Sequence, residues 1–241
     1  MDWVPDHLRL FIVVGGLLLL LLLVGSLVQK YEEYTAAKRL AVQRLMLGIQ
    51  RIEDALEKSR TGGLPAGVGK LLRNELLARY ITVRQVYPQQ PNIHQMIVQA
   101  EERARLEPEG ATSVNSNAFT SAESLNRYIK GLNEIYGLLE GRRLGTRLVA
   151  ADRNAMQLKL VEFQLMAASS YYTREVTAYA QSNDWPNAIR AARALDSFMM
   201  TRPRSSPTAV RLRNESRELL QAVSELRMPG GQTASDNQQD A

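Results

Sequence analysis

Between Leu10 and Gln29 the chain carries no charged residue, and Leu17 to Leu23 is an unbroken run of leucine. At 1.5 Å per residue, a helix over this stretch is about 30 Å long, the thickness of a bilayer's hydrocarbon core. A cleaved leader is the competing reading, with Val24-Gly25-Ser26 as a small-residue cleavage site. Leaders have a basic start and a shorter apolar stretch, whereas here Asp2 and Asp6 precede a single Arg9. The sequence therefore predicts a retained, single-pass transmembrane helix over residues 10–29, flanked by residues 1–9.

Orientation follows from lysine and arginine near the two ends of that helix. Arg9 stands on one side and Lys30, Lys38, Arg39 and Arg44 on the other, which predicts a cytoplasmic domain at a bacterial inner membrane. Trp3 and the pair Tyr31 and Tyr34 fall where interfacial aromatics are expected. Gly15, Gly16, Gly25 and Ser26 reduce bulk on the helix without forming a small-xxx-small pair, so lipid contact is the expectation and an intramembrane partner the alternative.

Beyond the anchor and a polar end, roughly 200 residues remain, enough for one domain or two small ones. Of all residues, 45% are hydrophobic and 23% charged, which fits a packed core rather than wholesale disorder. There is no cysteine, which excludes disulfides, thiolate metal sites and cysteine nucleophiles. The net charge of +5 favours anionic partners in general, but the signs are mixed, as in Glu101-Glu102-Arg103.

After the membrane, residues 31–60 contain no proline and keep a helical period, so the spanning helix should continue into water. Val42, Leu45, Ile49, Ile52 and Leu56 alternate spacings of three and four, and Leu40 and Leu47 broaden that stripe. Two heptads are short for a coiled coil, so packing on a following helix is expected over a dimer seam. The breaker-rich stretch from Thr61 to Lys70 ends that helix. Its Gly69-Lys70 pair invites comparison with a phosphate-binding loop, but Leu64 stands where that loop needs glycine and Leu71 where it needs serine or threonine.

Leu72, Leu76, Tyr80, Val83 and Tyr87 predict a second helix that Pro88 ends, and Pro91 should open a third with Ile93, Met96, Ile97 and Ala100 inward. A polar stretch, 107–120, divides a membrane-proximal region, 30–106, from a C-terminal bundle, 121–228. In the bundle, Leu125, Tyr128, Ile129, Leu132, Ile135, Tyr136 and Leu139 form the strongest periodic pattern of the chain. A long helix is predicted over about 147–181. Asp184 then caps a helix running to Met200, with Pro186 in its first turn, and Ser206-Pro207 opens a last one ending by Arg227. A polar tail, 229–241, has the composition of disorder. Ile81-Thr82-Val83 is β-branched but lies within a helical stripe, so the predicted fold class is all-α with helical hairpins.

Recognisable chemistry is sparse. The two histidines, His7 and His94, stand apart, and no carboxylate lies at helical spacing from His94 within its own turn. Carboxylate pairs such as Glu101 and Glu102, or Glu134 and Glu140, are interspersed with bases and read as helix surface. Arg142, Arg143 and Arg147 form the densest basic cluster, and Arg202, Arg204, Arg211 and Arg213 a second. Neither is interleaved with aromatics for base stacking.

Tyr179, the turn at Asn183-Asp184, Trp185 and Ala188 resemble the junction between successive tetratricopeptide helices, where small and aromatic residues interlock. The resemblance covers less than one repeat. Glu175, Val176, Ala192 and Leu195 depart from that family's pattern, and no further 34-residue period is present. It implies an antiparallel helix pair with Trp185 near the turn. Helical hairpins expose grooves for partner helices, so the expected function is protein binding as a scaffold, adaptor or assembly factor, without enzymatic activity or cofactor. The expected contacts are lipid through residues 10–29, and other proteins or lipid through Arg142, Arg143, Arg147, Tyr172, Tyr179 and Trp185, with a homo-oligomer as a further option. A membrane-tethered enzyme, with a pocket around His94 or a spatial carboxylate pair, and a membrane-linked nucleic-acid binder are the alternatives.

Overall fold

In the computed structural model, the described residues are 6–106, 113–140, 144–145, 148–203 and 206–227. They form seven helices and no strand: α1 (Asp6–Ser59), α2 (Val68–Val86), α3 (Ile93–Leu106), α4 (Ala122–Glu140), α5 (Ala150–Gln181), α6 (Trp185–Met200) and α7 (Pro207–Ser224). A short 3₁₀ turn, Ser116–Ala118, precedes α4.

The apolar stretch and the following amphipathic stretch are one helix. α1 runs unbroken for 54 residues, about 81 Å at 1.5 Å per residue. It is the one helix among the described residues long and apolar enough to cross a membrane. Leu17 to Leu23 are each more than half exposed, so none of the other described residues covers them. Residues 30–41 are also exposed apart from half-buried Thr35 and Lys38, and the first fully packed position is Val42. From Gln29 to Val42 the helix advances about 20 Å, a stalk between the apolar segment and the packed domain.

Val42, Ile49, Ile52 and Ala55 are buried against α2 and α4, with Leu45 and Leu56 half-buried beside them. Leu40 and Leu47 do not broaden this stripe: at 55% and 57% exposure they lie on the face of α1 turned away from both neighbours. The helices pack in the order α3, α2, α1, α4, α5, and α5 closes with α6 and α7 into a three-helix bundle. One apolar core therefore runs across the polar stretch, joining Leu72 and Ile97 before it to Leu132 and Leu160 after it. Two smaller clusters fill the terminal bundle.

Close approach of α1 and α4 depends on Gly131. A Cβ there would lie 2.8 Å from the Lys58 Cβ, 3.1 Å from the Ser59 nitrogen and 3.2 Å from the Ala55 oxygen. Beside this crossing, the Lys58 ammonium pairs with Glu134 at 2.7 Å.

Helix ends follow local chemistry. Asp184 accepts from the Asn187 backbone N–H at 3.3 Å, and Ser206 accepts from that of Ala209 at 3.2 Å, each with proline in the first turn. The third helix begins at Ile93 rather than Pro91, because Asn92 takes a left-handed conformation, φ 60°, that asparagine tolerates. The fifth begins at Ala150 rather than 147, after an extended Val149.

Candidate functional site

α2 packs on α1 by one flank and on α3 by the other, while α3 makes no comparable contact with α1. The result is a groove of about 910 Å³ with α2 as its floor and α1 and α3 as its walls. Spacing explains which residues reach it. Glu53 and Glu57 lie one turn apart on α1, Gly69, Arg73, Leu76 and Tyr80 share a face of α2, and Met96, Ala100 and Arg103 share a face of α3. Leu56, Leu64, Leu76, Met96 and Ala100 give it an apolar base, and Glu53, Asp54, Glu57, Arg60, Arg73, Gln99 and Arg103 a charged and polar rim.

Tyr80, Glu53 and Arg73 have defined positions within the groove. The Tyr80 hydroxyl donates to Glu53 Oε1 at 2.8 Å. Burial first, then this bond to a carboxylate, push the Tyr80 phenol well above its ordinary range, so it stays neutral. The Arg73 guanidinium, folded over Gly69, has its pKa lowered by desolvation. A more open depression of about 660 Å³ lies beside the groove, shares Asp54, Glu57 and Arg60 with it, and adds Lys58, Thr61 and Arg127.

A different face of α2 secures the floor. Glu75 is buried, pairs with Arg79 at 2.8 Å and accepts from the Gly145 backbone N–H at 2.7 Å. The Arg79 guanidinium lies against Gly48, where a Cβ would overlap it, so α1 and α2 meet through a glycine. Sequence reading passes over Glu75, because a glutamate four residues before an arginine has the signature of a solvated pair.

Of the residues expected from sequence to contact a partner, Tyr172, Tyr179 and Trp185 do not line the groove. Arg142, Arg143 and Arg147 lie outside the described residues. Tyr172 is half-buried on α5, with its ring edge-on to Tyr171 at 5.2 Å. Tyr179 and Trp185, on either side of the α5–α6 turn, are each half-buried against a cluster of Val176, Ala188, Ala192 and Val223. Of the second arginine cluster, Arg213 is buried and donates to the carbonyls of Met199 at 2.7 Å and Arg202 at 2.8 Å, capping the end of α6. Arg202 lies over the Phe198 ring at 5.1 Å, Arg211 pairs with Glu215 at 3.7 Å, and Arg204 is outside the described residues. His94 is exposed in the first turn of α3. Among the described residues no three histidine or carboxylate side chains gather as a metal site.

Compared with family models, curated proteins and solved structures, the chain matches none of them.

Proposed function

We propose that this chain is a single-pass protein of a bacterial inner membrane whose cytoplasmic helical domain binds other proteins as a scaffold, adaptor or assembly factor. The groove between α1 and α3 carries the proposal: three helices offer an apolar base with charged edges, the shape that an additional helix fills. Its position adds to the argument. From Gln29 to Glu53, α1 advances about 36 Å, so the groove is held well clear of the bilayer and faces partners that come from the aqueous phase. In the same reading, the α5–α6 pair, with Tyr179 and Trp185 packed on one small apolar cluster at its turn, is a tetratricopeptide-like hairpin that supports the protein-binding role. The cytoplasmic placement rests on the excess of lysine and arginine after the apolar segment.

Filling the groove tests the reading. Ala100→Arg places a long cationic side chain on the apolar base beside Met96. Partners isolated with the tagged wild-type protein from solubilised native membranes should be lost from this variant while its helical content is unchanged. Undiminished recovery would remove the groove from the function. A reporter active only in the periplasm, fused to the C-terminus, should stay silent; activity would overturn the orientation.

A further inference from the structure

We propose that the groove takes an amphipathic helix of a partner protein whose two flanks carry opposite charge, and that this asymmetry fixes the direction in which the helix lies. The inference deepens the scaffold reading above and rests on it. The α1 wall is net acidic, with Glu53, Asp54 and Glu57 against Arg60 at its end, whereas the side formed by α2 and α3 is basic through Arg73 and Arg103. A ligand of a single sign is attracted to one wall and repelled by the other. A helix with a basic flank toward α1 and an acidic flank toward α3 is matched to both.

Direction follows from geometry. With its apolar ridge kept on the base, turning such a helix end for end exchanges its flanks, so only one of the two directions places opposite charges together. The reverse direction sets like charge against like on both sides, which selects against it. Met96, Ala100 and Arg103 extend over about 10 Å of α3, so the matched part of the partner is two to three turns long.

The test uses the full chain in lipid nanodiscs and a displayed library of helical peptides about 18 residues long, with a fixed leucine ridge and flank positions randomised between lysine and glutamate. Clones with segregated flanks should be enriched about tenfold over clones with single-sign or mixed flanks. Because the chain has no cysteine, Thr61→Cys carries a single dye at the end of the groove remote from the membrane, and energy transfer from either peptide terminus reads direction. Asp54, Glu57 and Arg103 are exposed, so Asp54→Arg and Glu57→Arg turn the α1 wall net basic and Arg103→Glu turns the α3 wall acidic, with Glu53 and Arg73 kept and the core not entered. The exchange should reverse the energy-transfer pattern. Enrichment of single-sign or mixed flanks, no enrichment, or a direction that ignores the exchange would overturn the proposal. So would a crosslink at this groove joining two copies of the chain, which makes a second copy the occupant. Those results leave the scaffold reading intact if Ala100→Arg still abolishes partner recovery, so the two ideas fail separately.

Discussion

The Tyr128 hydroxyl donates to the Gly63 carbonyl at 2.9 Å and ties the turn after α1 to α4. The ring is fully buried and tilts against Phe119 with centroids 5.1 Å apart, and both rings press on Gly62, where a Cβ would approach them to 2.7 Å. Gly63 adopts φ 82°, the left-handed region where a side chain is strained. Tyr128→Phe removes one hydrogen bond and should cost about 1 kcal/mol, whereas Tyr128→Ala also opens a cavity and should cost about 3–5 kcal/mol. Thermal unfolding of the two variants in detergent, followed by circular dichroism, checks the order and the gap.

Segment by segment, the helices were legible wherever one residue dictates local geometry. Pro88 stops α2 after Val86, and Asp184 and Ser206 cap α6 and α7 where their side chains accept from the backbone N–H of the third helical residue. Leu125 to Leu139 recur at helical spacing, and Leu125, Tyr128, Leu132, Ile135 and Leu139 all face the core. The pairings were not legible, because Gly131 and Gly48 look like helix weakeners until the backbone or guanidinium that occupies their missing side chain is seen. The groove is not legible in the sequence for the same reason. Its walls come from residues about 50 positions apart on α1 and α3, and no local pattern joins Glu53 to Arg103.

Two glycines of α4 should respond oppositely to the same change. Gly131→Ala places a methyl against α1 backbone, and overpacking of about 1–3 kcal/mol outweighs the gain of up to about 1 kcal/mol in helix propensity. Gly137 has no atom within 4 Å of a built Cβ, so Gly137→Ala should stabilise by roughly 0.4–1 kcal/mol. Denaturant midpoints of the two variants should move in opposite directions.

Alkaline pH should destabilise the fold. Burial raises the phenols of Tyr80, Tyr128 and Tyr171 above the ordinary value of 10.0. Below that value both folded and unfolded chains keep these protons, so stability is unaffected; above it the unfolded chain loses them first, and stability falls. The unfolding midpoint should be flat from about pH 7 to 9 and drop beyond about pH 10. Tyr80→Phe and Tyr128→Phe together should flatten the drop.

Separating anchor from domain is a further consequence of the stalk. Because packing begins at Val42, a chain starting at residue 30 should be soluble and unfold within about 3 °C of the parent. The full chain should stay with the membrane through an alkaline carbonate wash. Release of the full chain, or aggregation of the shortened one, would contradict this division.

The central claim is that the groove between α1 and α3 meets another protein, and a photoactivatable benzophenone residue at Gln99 tests it most directly. Gln99 lines the groove and is exposed, and Asn214 is an exposed control on α7. Irradiation of native membranes should give one discrete heavier adduct from position 99, absent from position 214 and abolished by Ala100→Arg. Adducts of equal yield from both positions, or an adduct from position 99 that survives Ala100→Arg, would contradict the account.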